Sequence, residues 1–184
     1  MLLVLIGLRG SGKTTLAPIL ASKLGYTALD LDDATLRVLG EKSVVDAWQH
    51  HGESGFRTAE SMALRDALGK HNLVIACGGG TPTAPGATAM LTAAQESGKA
   101  AIVYLRGTIE TLQDRLRQSG VANRPGLTGS DPISEVPMLF MKRDPLYMSI
   151  ASCTVAIDGQ TIDQTVENIG WMLDASDEDD TTSR

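Results

Sequence analysis

One stretch near the start of the chain has the residue types and the spacing of a phosphate-binding loop. Residues 7–14 read G-L-R-G-S-G-K-T and match the pattern G-x-x-x-x-G-K-[ST] at every position. Glycines in such a loop let backbone N–H groups converge on phosphate oxygens, and the helix that follows adds the positive end of its dipole. Lys13 would reach the β- and γ-phosphates, and the hydroxyl of Thr14 would coordinate Mg²⁺. The motif predicts that the chain binds a nucleoside triphosphate.

Two carboxylates, Asp30 and Asp32, follow the second predicted strand. In an extended segment alternate residues point to the same side, which would let both carboxylates face one cleft. One would then support the magnesium shell, while the other would accept a proton from an attacking hydroxyl. A solvated turn with a helix N-cap accounts for the same residues equally well, and both interpretations stay open at this point.

Arg57 and Glu60 stand three residues apart on a predicted helix, a spacing that favours an ion pair between them. The planar guanidinium of Arg57 is also suited to a substrate carboxylate.

Three consecutive glycines, residues 78–80, follow the third predicted strand. Such a run costs backbone entropy and indicates a tight turn or a close approach to a ligand, of which we favour the ligand contact.

Further arginines lie towards the second half of the chain. Arg124 lies in a segment rich in Gly, Pro, Ser and Asn, residues 119–133, which we predict to be a mobile lid over the phosphates. Arg115 ends a predicted helix, and the helix dipole alone accounts for it. Arg143 lies near the end of another helix, where a surface ion pair with Asp144 is the simplest interpretation.

The elements that must position these residues alternate between strand and helix. The predicted strands cover residues 2–6, 26–31, 73–77, 101–105 and 153–157. Helical patterns follow the second strand through about residue 69, including a long one from residue 52. Further helices are predicted over residues 13–24, 85–97, 108–118, 134–150 and 161–173, the last opening with a Thr-x-x-Gln capping box. This order predicts an α/β fold, a three-layer α/β/α sandwich with a five-stranded parallel sheet. In such sheets, ligands collect beyond the carboxyl ends of the strands.

The composition of the 184 residues, with 42% hydrophobic residues, predicts one globular domain over residues 1–173. The acidic tail, residues 174–184, holds most of the net charge of −6, and we expect it to be disordered. An acidic chain argues against a nucleic-acid partner. The apolar residues 1–6 are too few to span a membrane, and we expect a cytoplasmic monomer with reduced Cys77 and Cys153.

Taken together, the motifs resemble the shikimate kinase family of small P-loop kinases. The matching stretches read G-L-R-G-S-G-K-T-T, D-L-D, G-E-S-G-F-R-T-A-E, C-G-G-G, N-R-P in the lid and R-D-P-L-Y, in the family's order over nearly the whole chain. The resemblance implies a P-loop kinase fold with a mobile lid. It also implies a phosphotransferase with ATP as co-substrate and Mg²⁺ as cofactor, which phosphorylates the 3-hydroxyl of shikimate.

The resemblance implies roles for individual residues at the acceptor end of the site. Asp32 would contact the reacting hydroxyl, and Arg57 and Arg143 would bind the shikimate carboxylate. Gly79 would present its backbone to the ring hydroxyls, with Gly80 beside it.

At the nucleotide end, the resemblance implies that Thr14 binds Mg²⁺ directly and Asp30 binds it through water. Arg124 would be the lid arginine that acts on the phosphates, Arg117 would flank the adenine, and Gln160 would contact it. The implied ATP-binding residues are Gly10, Ser11, Gly12, Lys13, Thr14, Thr15, Arg117, Arg124 and Gln160, and the implied catalytic residues are Lys13, Asp32 and Arg124.

Two alternatives stay open. The first is a related kinase for another hydroxy acid such as gluconate, for which Arg57 and Arg143 would serve equally well. The second is a non-catalytic relative that binds the same ligands and regulates a partner. The presence of Lys13, Asp32 and Arg124 argues against it, since such a relative could lose them freely.

Overall fold

A sheet of parallel strands organises the chain in the computed structural model, which describes residues 1–119 and 131–181, the last eight as backbone only. The strands are β1 (Leu2–Ile6), β2 (Thr27–Asp30), β3 (Leu73–Ala76), β4 (Ala100–Arg106) and β5 (Cys153–Ala156). The helices are α1 (Lys13–Leu24), α2 (Leu31–Leu39), α3 (Val44–Leu68), α4 (Ala87–Glu96), α5 (Ile109–Gln118), α6 (Val136–Ile150) and α7 (Ile162–Thr181), with a 3₁₀ turn at Thr81–Thr83.

β1 is the central strand. The order is β2-β3-β1-β4-β5, and every neighbouring pair is parallel. Leu2 pairs with Leu73 on one side and Ala100 on the other, which sets the register of the middle of the sheet. All five residues of β1 are fully buried, and because alternate residues face opposite sides, helices must cover both faces. The predicted α/β sandwich with a five-stranded parallel sheet is confirmed.

The helix caps follow the local sequence closely. Thr161 and Gln164 form the predicted capping box: the N–H of Thr161 donates to Gln164 Oε1 (2.9 Å), and the N–H of Gln164 donates to Thr161 Oγ1 (3.2 Å). Ser43 caps α3 by accepting from the N–H of Asp46 (3.1 Å). These bonds satisfy N–H groups that the first turn of a helix leaves without a partner.

Several element boundaries differ from the prediction by one or two residues, and three differences have a clear physical meaning. β2 ends at Asp30 because that residue becomes the N-cap of α2, which starts at Leu31. The long helix was expected to begin at Gly52, but it begins at Val44 and is kinked at Gly52 (φ 65°, ψ 178°). α7 continues to Thr181 rather than ending at Leu173, since no glycine or proline interrupts it there.

The two cysteines are free thiols, as predicted. Cys77 is buried at the end of β3, and burial raises the pKa of its thiol, which therefore stays protonated at neutral pH. In the part of the chain that the structure describes, none of the helices is both long and apolar enough to cross a membrane.

Because β1 is fully buried, truncating one of its side chains should lower the free energy of unfolding. Leu5 is fully buried at the centre of the sheet, so Leu5→Ala should lower the free energy of unfolding by about 2–5 kcal/mol in urea denaturation. The matched control is Leu24→Ala at the exposed end of α1 (Leu24 is 41% exposed), which should change it by less than about 0.5 kcal/mol. Equal losses for the two variants would show that β1 is not the centre of the core.

Candidate active site

The phosphate loop connects β1 to α1, as the motif predicts. Gly12, the N-cap of α1, has a φ of 93°, a left-handed conformation that residues with a side chain rarely adopt. Lys13 is buried, and its ammonium donates to the carbonyls of Gly7 and Leu8 (2.9 Å each) and to Ser11 Oγ (3.2 Å). The lysine is thus held across its own loop, where phosphates bind in P-loop proteins.

Asp30 links the start of α1 to the start of α2. Its Oδ2 accepts from the hydroxyl of Thr14 (3.0 Å), and its Oδ1 accepts from the N–H of Asp32 (2.9 Å). The N-cap interpretation is therefore confirmed for Asp30. The proposed geometry for the pair is wrong, because Asp32 lies in the first turn of α2 and not on a strand. Both carboxylates nevertheless line one cavity, together with Lys13 and Thr14.

Arg57 forms the predicted ion pair and also reaches that cavity. Its Nη1 is 2.5 Å from Glu60 Oε2, and Glu60 is only 1% exposed. Burial raises the pKa of the Glu60 carboxyl, an effect that the charge of Arg57 opposes. The guanidinium carbon of Arg57 lies 5.8 Å from the ring centre of Trp48 and 6.0 Å from that of Phe56. These contacts hold the guanidinium in place at the cavity wall.

The glycine run forms a turn that presses against the charged side chains. A Cβ on Gly80 would lie 2.7 Å from Arg57 Cζ. A Cβ on Gly78 would overlap Asp32 Oδ1 and lie 2.9 Å from Glu60 Oε1. The glycines are therefore required by the approach of the backbone to these side chains.

Arg143 reaches the same cavity from α6. It is 7% exposed, and its Nη1 donates to the carbonyl of Gly79 (2.9 Å), which also accepts from the hydroxyl of Tyr147 (2.5 Å). The surface ion pair between Arg143 and Asp144 is wrong, because Asp144 pairs with Arg106 instead. The Nε of Arg143 is buried and has no hydrogen-bond partner among residues 1–119 and 131–173. A buried donor of this kind points to a ligand that accepts from it.

A second cavity lies behind the phosphate loop and contains one of the two residues expected near the adenine. It is lined in part by Gly10, Ser11, Gly12, Thr15, Arg115 and Gln160. Arg115 donates from Nη2 to the carbonyl of Ile157 (3.0 Å). Arg117 is not part of this lining and pairs with Asp114 on the exposed side of α5.

Two arginines that line these cavities were missed by reasoning from the sequence. Arg115 was missed because a cation at a helix C-terminus needs no ligand, and nothing in the local sequence shows which side of α5 faces the nucleotide loop. Arg9, in the phosphate loop itself, lines the first cavity, and its place in the motif was the available signal. Arg124 and most of the expected lid lie outside the described residues.

The fold and the site together define a class of protein. One cavity joins a phosphate loop with its lysine, two carboxylates and two anchored arginines. This set can bind triphosphate oxygens, an acidic second ligand and the proton of a hydroxyl. The class is that of a P-loop kinase acting on a small molecule.

Comparisons with known proteins define the family. The family model described as shikimate kinase matches residues 9–174. The shikimate kinase of Synechococcus sp. (strain RCC307) is 35% identical over 171 residues, covering 93% of this chain and 83% of the relative. That of Mycobacterium tuberculosis (strain ATCC 25177 / H37Ra) is 38% identical over 152 residues, covering 83% and 81%. The chain belongs to the shikimate kinase family and is therefore an enzyme, a kinase.

Solved structures agree with this assignment. A shikimate kinase from Acinetobacter baumannii in complex with shikimate superposes with a TM-score of 0.84 at 29% identity, covering 95% of this chain and 93% of that one. A gluconokinase from Sinorhizobium meliloti reaches a TM-score of 0.63 at 16% identity, covering 99% and 97%, which shows the shared fold alone.

The contact between Gly80 and Arg57 can be tested directly. The backbone of Gly80 (φ −113°, ψ −7°) accommodates alanine, so Gly80→Ala changes little except that its Cβ displaces the guanidinium. We expect the KM for the acceptor to rise about tenfold and the KM for ATP to stay unchanged in steady-state kinetics. Gly170→Ala in α7, whose Cβ would meet no atom within 4 Å, is the control and should leave both constants unchanged. An unchanged acceptor KM in Gly80→Ala would contradict a role of the Arg57 guanidinium in binding the acceptor.

Proposed function

We propose that this chain transfers the γ-phosphoryl group of ATP to the 3-hydroxyl of shikimate, giving 3-phosphoshikimate and ADP. One observation carries the proposal: Arg57 and Arg143 lie in the cavity that contains Lys13, Thr14 and Asp32. An acceptor with one carboxylate and several hydroxyls matches this arrangement, because the two guanidinium groups bind its acid end near the phosphates.

At the nucleotide end, the loop of residues 10–15 would bind the phosphates through its N–H groups, and Lys13 would bind the β- and γ-oxygens. The adenine would occupy the second cavity, beside Gln160 and Arg115. The family resemblance implies that Arg117 flanks the adenine and that Arg124 acts on the phosphates. We keep both roles as proposals, although Arg117 does not line the second cavity.

The metal would be held at the edge of the phosphate loop. The oxygens of Thr14 and Asp30 are 3.0 Å apart, and hydroxyl and carboxylate oxygens are ligand types that Mg²⁺ accepts alongside water and phosphate. The donor set therefore fits Mg²⁺, with Thr14 as a direct ligand and Asp30 acting through water. Mg²⁺ held by these two residues would supply positive charge that offsets the charge of the triphosphate.

At the acceptor end, Arg57 and Arg143 would bind the carboxylate and thereby orient the ring. The carbonyl of Gly79 already accepts from two donors, so we assign its N–H, with the adjoining Gly80, to the ring hydroxyls. Asp32 would accept the proton of the attacking hydroxyl. Positioning and charge stabilisation supply most of the catalysis in phosphoryl transfer, and anchored side chains suit both.

The choice of acceptor is tested by a coupled assay of ADP release with shikimate, gluconate and nucleoside monophosphates. We expect turnover with shikimate and no more than background with the others. Among these three acceptors, only shikimate carries both a carboxylate and hydroxyl groups on one ring. Turnover with gluconate would assign the chain to another acceptor. No turnover with any of them would favour the non-catalytic alternative.

The role of Asp32 is tested by Asp32→Asn, which keeps the shape of the side chain and removes its basicity. We expect kcat to fall about 10²-fold or more, within the range of general-base effects. Asp33→Asn is the matched control, because Asp33 is an exposed neighbour in the same turn and should leave kcat unchanged. Near-normal turnover in Asp32→Asn would remove Asp32 from the mechanism.

A further inference from the structure

The carboxylate of Asp144 connects α6 to the end of β4. Its Oδ1 accepts from Arg106 Nε (2.7 Å) and from the hydroxyl of Tyr104 (2.7 Å), and its Oδ2 accepts from Arg106 Nη2 (3.1 Å). Asp144 is 16% exposed, so the contact is largely shielded from water. The bond from Arg106 lowers the pKa of Asp144, which keeps the carboxylate charged at neutral pH.

Tyr104 extends this connection to the acceptor site. Its ring packs edge-to-face on the ring of Tyr147, with centroids 5.4 Å apart and both rings buried. The hydroxyl of Tyr147 donates to the carbonyl of Gly79, the same carbonyl that binds Arg143 Nη1 (2.9 Å). Asp144, two tyrosines and one backbone carbonyl therefore form a continuous path that returns to Arg143.

The helical hydrogen bonding of α6 is interrupted at this point. Pro145 lies inside the helix and has no N–H, so the carbonyl of Met141 lacks its usual helical bond. Arg143 and Asp144 are successive residues, about 100° apart around the helix, so they contact different parts of the protein. Arg143 reaches the cavity, and Asp144 holds β4. Rotation or sliding of this turn would move both side chains at once.

We propose that Asp144 is a positioning residue that sets the place of the Arg143 guanidinium in the acceptor site by anchoring α6 to Arg106 and Tyr104. The inference rests on the proposed function, because it assigns to Asp144 an effect on acceptor binding through Arg143. Asp144 itself is not among the residues that line the two cavities.

The first test is the kinetics of Asp144→Asn. We expect the KM for shikimate to rise about tenfold, because the bonds lost are to charged groups, while kcat and the KM for ATP change less than about twofold. The matched control is Asp66→Asn in α3, which breaks an exposed ion pair with Lys70 just beyond the helix and should change none of these constants. An equal rise of both KM values, or a change in kcat alone, would overturn the proposal.

Variants of Arg106 and Tyr104, the two residues that Asp144 binds, test the proposal even if Asp144→Asn fails to fold. Arg106 is 45% exposed, so Arg106→Ala should fold and should raise the shikimate KM in the same direction, while Arg106→Lys should restore part of it. Tyr104→Phe keeps the ring contact and removes only the hydroxyl bond, and should give a smaller rise. Normal shikimate KM values in both Arg106→Ala and Tyr104→Phe would overturn the proposal.

A double mutant separates this inference from the proposed function. If Asp144 acts through Arg143, then Asp144→Asn added to Arg143→Ala should raise the shikimate KM less than about twofold further. Full additivity would mean that Asp144 acts by another route and would overturn the inference. A normal shikimate KM in Arg143→Ala alone would instead count against the carboxylate-binding role of Arg143, and with it against both proposals.

Discussion

The common direction of the strands is the constraint on which the rest of the structure depends. Because all pairs in the sheet are parallel, their carboxyl ends meet at one edge, and the residues after each strand are brought together. The phosphate loop follows β1, Asp30 ends β2, the glycine run follows β3, and Arg106 ends β4. The fully buried β1 holds this edge together, since both of its neighbours pair with it over most of its length.

Buried cations at such an edge are stable only when other groups compensate for lost water. Glu60 compensates for Arg57, and the carbonyl of Gly79 partly compensates for Arg143. Both arginines line the cavity, and the buried Nε of Arg143 has no hydrogen-bond partner among the described residues, which suits an anionic ligand that supplies the remaining acceptors. The site is thus organised before the ligand arrives, so little reorganisation is needed when charge develops during transfer.

The glycines of the site have different physical tasks. Gly12 permits a left-handed backbone at the start of α1, whereas Gly80 is required only because Arg57 fills the space of a side chain. A run of glycines in a sequence does not distinguish these cases. At residues 78–80 the structure shows protein side chains against the turn, and the expected ligand contact stays a prediction.

The sequence by itself determined those features that depend on neighbours along the chain. They are the phosphate loop, the capping box at Thr161, the ion pair between Arg57 and Glu60, and the alternation of strands and helices that implies the fold. Helical spacing, however, does not say how a helix is rotated against the rest of the protein. Only the tertiary structure decided that Arg115 lines the second cavity while Arg117 does not. It also decided that Asp144 pairs with Arg106, far away in the chain, and not with Arg143 beside it. Such contacts depend on long-range packing, which local residue patterns do not encode.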